Sequence, residues 1–426
     1  MSKIAITGLG LLSPLGRGLG SSWDALAGGS GSLTRDPGDD GPEWMRWAGR
    51  VGEVDLPSGL PRGILTQTRF LNRGAHLGFA AAHDALLQAG SAEHVSRERR
   101  ALYLATGDLT AADCLALHPA TTSAGRGVGV DFERINRESV AGVNPFFLLE
   151  GLANNPFSML AAAFGFEGPG TTLASQSPAG GQALDLAFRS LSRGRAEIAR
   201  VVGCGSLLST VPRLAMAGLG LLSRCRDGGR SYRPFDLRRD GFIVGEGAAA
   251  VVLETEDRAL RRAATILGTV EGTSSCLEPA PGLAVADRVT ARCMDLALSD
   301  ADLTIGDLGF ICPHGSGTRK GDRSEGESLA GMLDGNSAIP VCALKPYTGH
   351  MGAASDIAEV VLGILGASRG IVPGTPNFEA GDAGVGGLSI SAELRVCAEP
   401  RFLSVSYGLG GQSAAAVISV SRCESR

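Results

Sequence analysis

The sequence lacks the cysteine and histidine motifs that hold disulfide frameworks or metals. Its cysteines are odd in number and include no C-x-x-C pair, which argues against a disulfide framework or a zinc site and favours reduced cytoplasmic chemistry. Most of them fit the role of small buried apolar residues. The nine cysteines are Cys114, Cys204, Cys225, Cys276, Cys293, Cys312, Cys342, Cys397 and Cys423. None of the six histidines belongs to an H-E-x-x-H motif, so we expect no metal site.

Long apolar runs and an excess of positive charge are also missing. No run approaches the roughly 18 apolar residues of a membrane span, and Pro14 closes the apolar start without a signal-peptide cleavage site. The 39 Lys and Arg against 44 Asp and Glu give a net charge of −5, which disfavours sequence-independent nucleic-acid binding. The turn at Gly8 lacks the third glycine of a dinucleotide fingerprint. We therefore expect a soluble, cytoplasmic protein with no membrane or nucleic-acid partner and no cofactor.

The chain alternates β-rich apolar runs with alanine- and leucine-rich helical stretches, which predicts an α/β fold. The predicted strands are Ile4–Leu9, Arg100–Thr106, Ile198–Gly203, Gly247–Glu254, Leu308–Cys312, Phe402–Ser406 and Ala414–Val420. The predicted helices are Ala75–Gln88, Gly181–Arg193, Val289–Leu298 and Ile357–Ser368. The similar pattern of the two parts predicts a duplicated architecture, with one half over residues 1–254 and the other over residues 255–426.

Four segments combine glycines with polar residues in a way that scaffold segments rarely do. They are Arg233–Ala248 (RPFDLRRDGFIVGEGA), Pro313–Glu325 (PHGSGTRKGDRSE), Lys345–Ala354 (KPYTGHMGAA) and Ser406–Ser413 (SYGLGGQS). In this order and spacing, and after a first strand that reads ITGLGLLSPLG, they resemble the β-ketoacyl-acyl-carrier-protein synthases of the thiolase superfamily, of the elongating type. The resemblance runs from Ile4 to about Val420.

This resemblance implies a fold, a reaction and a partner. The fold is a thiolase-like, five-layered αβαβα core built from two related halves and paired as a dimer. In the reaction, an acyl chain is loaded on a nucleophile and condensed with a malonyl unit on acyl-carrier protein as CO₂ leaves. The pathway would be of the polyketide or fatty-acid type, and the acidic carrier protein would meet a local basic patch.

The resemblance also implies roles for polar residues of the second and third motifs. His314 and His350 match the active-site histidine pair, and two imidazoles facing one pocket can donate hydrogen bonds to the enolate oxygen formed on decarboxylation. Lys345 matches the lysine of the family and Glu325 its partner carboxylate, a pair that can hold its charge and orient a neighbouring histidine. The other histidines belong to no motif.

The fourth motif matches the loop of the family that supplies one backbone N–H of the oxyanion hole. That N–H would come from Leu409, and the nucleophile would supply the other. Gly408 and the two glycines after Leu409 allow a tight bend. Leu409 stands where the family commonly has a gating phenylalanine, and Tyr407 keeps an aromatic ring beside it.

The sequence departs from the family at the nucleophile. The family places a cysteine at the start of a helix, and counting from Gly168 puts Ser177 at that position, with Gly180 three residues later. A hydroxyl titrates several units above a thiol, so it needs a neighbouring base, for which His314 or His350 is available. The third motif is also one residue shorter than usual after His350, which predicts an altered start of the next helix.

Three functions fit these residues. The first is acyl transfer or decarboxylative condensation on acyl-carrier protein with Ser177 as the nucleophile and the His pair intact. The second is decarboxylation of the malonyl carrier without acyl loading. The third is a non-catalytic, chain-length-factor-like subunit of a heterodimer whose sister chain bears the cysteine. Gln176 bears on the last two, since a glutamine in place of the cysteine marks both classes of protein in the family. It lies one residue before the counted position, so a shift of one residue in the match would place it there.

Overall fold

The computed structural model describes residues 3–29, 31–36, 41–90, 95–107, 117–123, 131–279, 285–335, 338–385 and 387–421. The strands are β1 Ile4–Ser13, β2 Gly16–Arg17, β3 Leu33–Arg35, β4 Trp47–Gly49, β5 Arg100–Thr106, β6 Gly170–Ala174, β7 Ile198–Ser206, β8 Glu246–Thr255, β9 Gly268–Leu277, β10 Phe310–Cys312, β11 Pro340–Val341, β12 Ile371–Val372, β13 Ser389–Ile390, β14 Arg395–Val396, β15 Arg401–Tyr407 and β16 Gln412–Val420. The helices are α1 Leu19–Ala27, α2 Glu43–Arg46, α3 Arg62–Gln67, α4 Arg73–Ala89, α5 His118–Ser123, α6 Phe132–Gly142, α7 Phe147–Gly151, α8 Asn154–Phe164, α9 Ala179–Ser192, α10 Thr210–Gly218, α11 Glu256–Arg261, α12 Ala291–Asp300, α13 Arg319–Leu333, α14 Lys345–Thr348 and α15 Ala353–Ser368.

One large sheet runs through the molecule. Within the described ranges it has 12 strands, in the order β13-β11-β10-β15-β16-β9-β1-β8-β7-β5-β6, with β2 paired to β1. The strands before residue 260 lie on one side, the later strands lie on the other, and the two sides join where Ile4–Ile6 of β1 pairs with β9. All ten residues of β1 are buried, as expected for an apolar strand covered on both faces.

Two central helices separate the two sides of this sheet. Helix α9 contacts β5 and β7 on one side and β9 and β16 on the other, and α15 contacts β7, β8 and β15. Helix α15 is buried over Ala353–Ala367, which fits its apolar sequence AASDIAEVVLGILGAS. Helix α4 covers the outside of the first side and α12 covers the outside of the second. The result is the predicted thiolase-like, five-layered αβαβα fold.

The sequence located most of the buried strands to within a few residues. Strand β5 has the predicted bounds, while β1 continues from the predicted end at Leu9 to Ser13. Helix α15 begins at Ala353, four residues before the predicted start, and Gly352 precedes it with φ 61°. Strand β9 and helix α13 were not predicted, because their serines, glycines and charged residues hide the apolar periodicity. Cys114, Cys423 and His94 lie outside the described residues.

A search of the helices among the described residues finds none that is long and apolar enough to cross a membrane.

Candidate active site

Three of the four sequence motifs lie at one end of the second side of the sheet. Strands β10, β11 and β15 are parallel, so their carboxyl ends meet at the same edge. His314 follows β10, the helix α14 that carries Lys345 follows β11, and the loop of Leu409 follows β15. Loops at the carboxyl ends of parallel strands are where open α/β sheets bind ligands. The topology therefore brings the second, third and fourth motifs together.

The structure places the two predicted histidines side by side. The ring centroids of His314 and His350 are 5.4 Å apart, and the ring of Tyr407 packs against His314 at 4.3 Å. The ring of Phe242, from the first motif, packs against His350 at 4.8 Å. Both histidines are buried, with 3% exposure for His314 and 7% for His350. Aromatic packing on each ring fixes the orientation of the pair.

Both imidazoles are neutral at neutral pH. Burial, with the nearby charge of Lys345, lowers the pKa of His350 to about 3. Burial, Lys345 and His350 together lower the pKa of His314 well below its usual value. The Nδ1 atom of His350 accepts a hydrogen bond of 3.1 Å from the N–H of Gly352, so its single proton is on Nε2. The Nδ1 atom of His314 is buried and has no hydrogen-bond partner among the described residues.

Lys345 lies behind the histidine pair, as predicted, but the prediction of its partner was wrong. Its ammonium is fully buried and donates to both carboxylate oxygens of Glu359 at 2.9 Å. Its third hydrogen bond, of 2.7 Å, goes to the carbonyl oxygen of His314. All three ammonium protons are therefore used. The pair fixes the backbone of His314 to helix α15, because Glu359 belongs to that helix.

Glu325, the carboxylate predicted to pair with Lys345, instead accepts backbone hydrogen bonds. Its two oxygens accept from the N–H groups of His314 at 2.7 Å and Gly315 at 2.9 Å. Burial raises the pKa of Glu325 to about 8, although these two N–H donors oppose the shift. Glu325 therefore holds the loop that carries the first histidine. It reaches back to that loop because it lies on α13, the helix that follows the loop.

The hydroxyl of Ser177 does not bond to either imidazole. Its Oγ donates a hydrogen bond of 2.7 Å to Oδ1 of Asp356, on helix α15. Oγ also lies 3.4 Å from the carbonyl oxygen of Gly352, the residue whose N–H bonds to His350. The serine thus lies near the histidine pair, but its proton points to a carboxylate. The expected serine–histidine contact is not formed.

Gln176 fills the space between the serine and the histidine motif. Its Nε2 donates a hydrogen bond of 2.8 Å to the carbonyl oxygen of Gly107, just after β5. Its Oε1 lies against Gly352, where a Cβ atom would overlap it. Gly352 also has φ 61°, in the left-handed region, so both the backbone and the neighbouring amide require glycine there.

The loop of the fourth motif lies against the serine. A Cβ atom on Gly408 would overlap the carbonyl oxygen of Ser177, so only glycine allows this approach. Tyr407 is buried, and its hydroxyl donates to Oγ of Ser316 at 3.2 Å. Leu409 is 44% exposed, and its N–H has no acceptor within the described part of the chain. The oxyanion-hole role of this N–H stays a prediction.

A surface cavity of about 770 Å³ reaches this loop. Leu409 lines it together with Thr318 and Gly321, at the start of helix α13. Among the described residues, four cationic side chains and one acidic side chain, Asp240, also line it. The cationic side chains are Arg224, Arg226, Arg319 and Lys320. An excess of positive charge around the opening favours an anionic partner.

Sequence reasoning missed Asp356 and Glu359. Both are buried, at 3% exposure each, and they lie three residues apart on helix α15. A signal was present, because they are the only acidic residues in a long apolar helix directly after the third motif. A carboxylate buried in such a helix needs a partner, and both partners here are predicted site residues.

Comparisons with known proteins identify the family of this chain. The family model described as "Beta-ketoacyl synthase, N-terminal domain" matches residues 1–259, and "Beta-ketoacyl synthase, C-terminal domain" matches residues 270–379. The chain is 30% identical to the alpha subunit and 31% identical to the beta subunit of the tetracenomycin polyketide synthase ketoacyl synthase of Streptomyces glaucescens. The matches cover 98% of this chain and 96% and 98% of those two proteins.

Solved structures share the fold. A β-ketoacyl synthase from Burkholderia phymatum superposes with a TM-score of 0.85 at 24% identity, over 99% of this chain and 100% of that chain. A type II polyketide ketosynthase in complex with its acyl-carrier protein superposes with a TM-score of 0.83 at 23% identity, with coverage of 99% and 100%. The family models, the relatives and the arrangement of the four motifs lead to one conclusion: this chain belongs to the β-ketoacyl synthase family.

Proposed function

We propose that this protein binds a malonyl thioester of acyl-carrier protein and releases CO₂ from it at the His314–His350 pair, without first loading an acyl chain on Ser177. The observation that carries this proposal is the contrast between the two groups. The imidazoles are neutral, adjacent and backed by a buried ion pair, whereas the serine hydroxyl is bonded to Asp356.

The chemistry needs only groups that the histidine pair can supply. The bond between the malonyl carboxylate and the α-carbon breaks, CO₂ leaves, and the electron pair moves onto the thioester carbonyl oxygen. A neutral imidazole donates a hydrogen bond to that oxygen as its negative charge develops, and preorganised donors of this kind are each worth about 10²–10³ in rate. Solvent then protonates the α-carbon, which leaves an acetyl thioester. His350 offers its Nε2–H for this role, because its Nδ1 is an acceptor.

The other predicted site residues support this role indirectly. Lys345 and Glu359 fix the backbone of His314, and Glu325 fixes the same loop from the other side. The free N–H of Leu409 supplies a further donor, and Gly408 holds that loop against the serine. Acyl-carrier protein docks at the opening of the cavity beside Leu409, whose cationic lining suits an acidic partner, and its thioester-bearing arm enters there. Residues 1–254 and 255–426 act as two related halves that share this one site.

The partner of the chain is a second ketosynthase-fold subunit, in a homodimer or in a heterodimer with a cysteine-bearing sister. The names of related proteins support such pairs, since the tetracenomycin relatives are named as alpha and beta subunits and a structural neighbour is named as a ketosynthase/chain length factor. Identities of 30% and 31% to the two subunit types favour neither class.

A non-catalytic subunit is the second candidate, and one observation favours it. The nucleophile position holds a hydroxyl that is already bonded to a carboxylate, beside a glutamine bonded to backbone. Such a chain would shape the site of its sister without chemistry of its own. The intact histidine pair argues against it. Acyl transfer through Ser177 is the third candidate, and it requires the hydroxyl to leave Asp356 and to find a histidine as its base.

One experiment separates the three candidates. The purified protein is incubated with malonyl-loaded carrier protein, CO₂ release is measured, and the intact mass of the protein is recorded. Our proposal predicts CO₂ release and no added mass on the protein. A covalent acyl mass on Ser177 would favour acyl transfer. The absence of both signals would favour the non-catalytic subunit.

A further inference from the structure

Asp356 occupies the space beneath the start of helix α9. Its Oδ1 accepts the hydroxyl proton of Ser177 at 2.7 Å, and its Oδ2 accepts the N–H of Gly180 at 2.9 Å. The side chain is 3% exposed, so it does not reach solvent from this position. Gly180 allows the contact, because a Cβ atom there would press on Asp356 and on the carbonyl oxygen of Ala353. The two central helices therefore meet at this carboxylate.

The carboxylate of Asp356 also lies at the N-terminus of helix α9, which is the end of a helix that attracts anions. The first N–H groups of a helix have no partner within the helix and carry a partial positive charge, which lowers the pKa of a nucleophile placed there. In α9, Asp356 takes one of these N–H groups and adds a full negative charge. The helix start is thus already neutralised from inside the protein. A nucleophile at position 177 gains little from it.

Among the described residues, no cationic side chain forms an ion pair with this carboxylate. Within the described part of the chain, Lys345 is the cation that acts on Asp356, but both oxygens of Glu359 bind its ammonium. Glu359 lies one turn along α15, and burial and the charge of Asp356 both raise its pKa. Burial raises the pKa of Asp356 to about 6, so the side chain is ionised at neutral pH.

We propose that Asp356 is a positioning residue that prevents acyl loading at position 177, by holding the proton of Ser177 away from the histidine pair and by placing negative charge at the start of helix α9. This inference rests on the proposed function, in which no acyl chain is loaded. It assigns the absence of acyl loading to Asp356 in addition to Ser177. It therefore predicts that a change of Ser177 to cysteine is not sufficient to create a reactive thiol.

The test measures thiol reactivity and needs no substrate. Ser177→Cys and the double variant Ser177→Cys/Asp356→Asn are treated with iodoacetamide across a range of pH, and the product at position 177 is quantified by peptide mass. In the reaction the thiolate forms a carbon–sulfur bond and iodide leaves. Removal of a charge at hydrogen-bond distance shifts a thiol pKa by about 1–3 units, so we expect the double variant to react about tenfold or more faster at about pH 7.5.

A matched control distinguishes this effect from a general loosening of the site. Asp322 is another fully buried carboxylate, and burial raises its pKa to about 6 as well. It accepts hydrogen bonds from Phe235, Ser316 and Gly317 and not from the start of helix α9. Asp322→Asn in the Ser177→Cys background should leave the reaction rate and its pH midpoint unchanged.

Two results would overturn the inference. The first is an equal rate and an equal pH midpoint with and without Asp356. The second is a thiol that stays unmodified in both variants, which would assign the exclusion to burial of the position. Either result would leave the proposed decarboxylation standing, because that activity is measured separately as CO₂ release from the unaltered chain.

Discussion

The two ends of the candidate site use their polar groups differently. At the histidine end, His314 and His350 are neutral, and Lys345 of the ion pair behind them donates one hydrogen bond to the backbone carbonyl of His314. At the serine end, the hydroxyl of Ser177 and the N–H of Gly180, in the first turn of helix α9, are both directed at Asp356. Donors at one end remain available to a ligand, whereas donors at the other end are satisfied within the protein.

This difference indicates that the two halves of the family's reaction can be separated. Enolate stabilisation depends on neutral hydrogen-bond donors that need no partner from the protein. Acyl loading depends on a nucleophile that is activated by a base or by a helix start. A single carboxylate on α15 removes the second set of conditions and leaves the first set in place.

The largest effect is expected when the ion pair behind the histidines is broken. Lys345→Met leaves Glu359 buried without its partner, and the loss of one member of a buried pair costs about 3–5 kcal/mol of folding free energy. Chemical denaturation of the variant and of the wild type measures this loss of folding free energy. Lys345→Met combined with Glu359→Gln should recover much of the loss, because no unpaired charge remains. Equal stability of the single variant and the wild type would show that the pair does not support the histidine end.

Acid should affect the histidine end selectively. His350 has a pKa of about 3 in the folded chain against an ordinary value of 6.5, so its contribution to stability is complete above pH 6.5 and is lost as the pH falls towards 3. At about pH 5 the loss is about 2 kcal/mol relative to about pH 7.5. The buried carboxylates Glu325 and Asp356 have raised pKa values, so their contribution to stability grows as the pH falls. The wild type must therefore be compared with His350→Gln.

Denaturation of both proteins at about pH 7.5 and about pH 5 makes that comparison. We expect the stability advantage of the wild type to shrink by about 2 kcal/mol at the lower pH. An advantage that stays constant between the two pH values would mean that His350 is not held neutral by burial.

A smaller effect is expected at the point where the two ends touch. Gly352→Ala adds a Cβ atom that overlaps Gln176 at a backbone position with φ 61°. Gly370→Ala is the matched control, with φ 70° and no heavy atom within 4 Å. We expect Gly352→Ala to cost about 1 kcal/mol more than the control, because only the first variant displaces a side chain. Melting temperatures of the two variants measure these costs, and adding Gln176→Ala to Gly352→Ala should restore part of the loss. Equal costs for the two variants would show that Gln176 does not restrict position 352.

The sequence predicted the groups of the site better than their contacts. Four motifs were sufficient to predict that His314, His350 and Lys345 lie together, because glycine turns and polar residues at fixed spacing leave a strong pattern. The partner of Lys345 was predicted wrongly, since Glu325 and Glu359 both lie near it in sequence and only the fold decides which carboxylate faces the ammonium. Contacts of this kind depend on helix packing that residue spacing does not encode.

The direction of the Ser177 hydroxyl could not be predicted for a similar reason. Its partner, Asp356, is 179 residues away in sequence and reaches it only because α9 and α15 pack together between the two sides of the sheet. Strand β9 was missed because its serines and threonines bury polar atoms within the sheet. Buried strands with continuous apolar runs, such as β5, gave the clearest signal.

The most direct test of the account is the rate of CO₂ release from malonyl-loaded carrier protein by two single variants. We predict that Ser177→Ala keeps this rate within a few-fold of the wild type, whereas His350→Ala lowers it by about 10²–10³ because a donor to the developing enolate is lost. Loss of CO₂ release in Ser177→Ala, together with its retention in His350→Ala, would contradict the account.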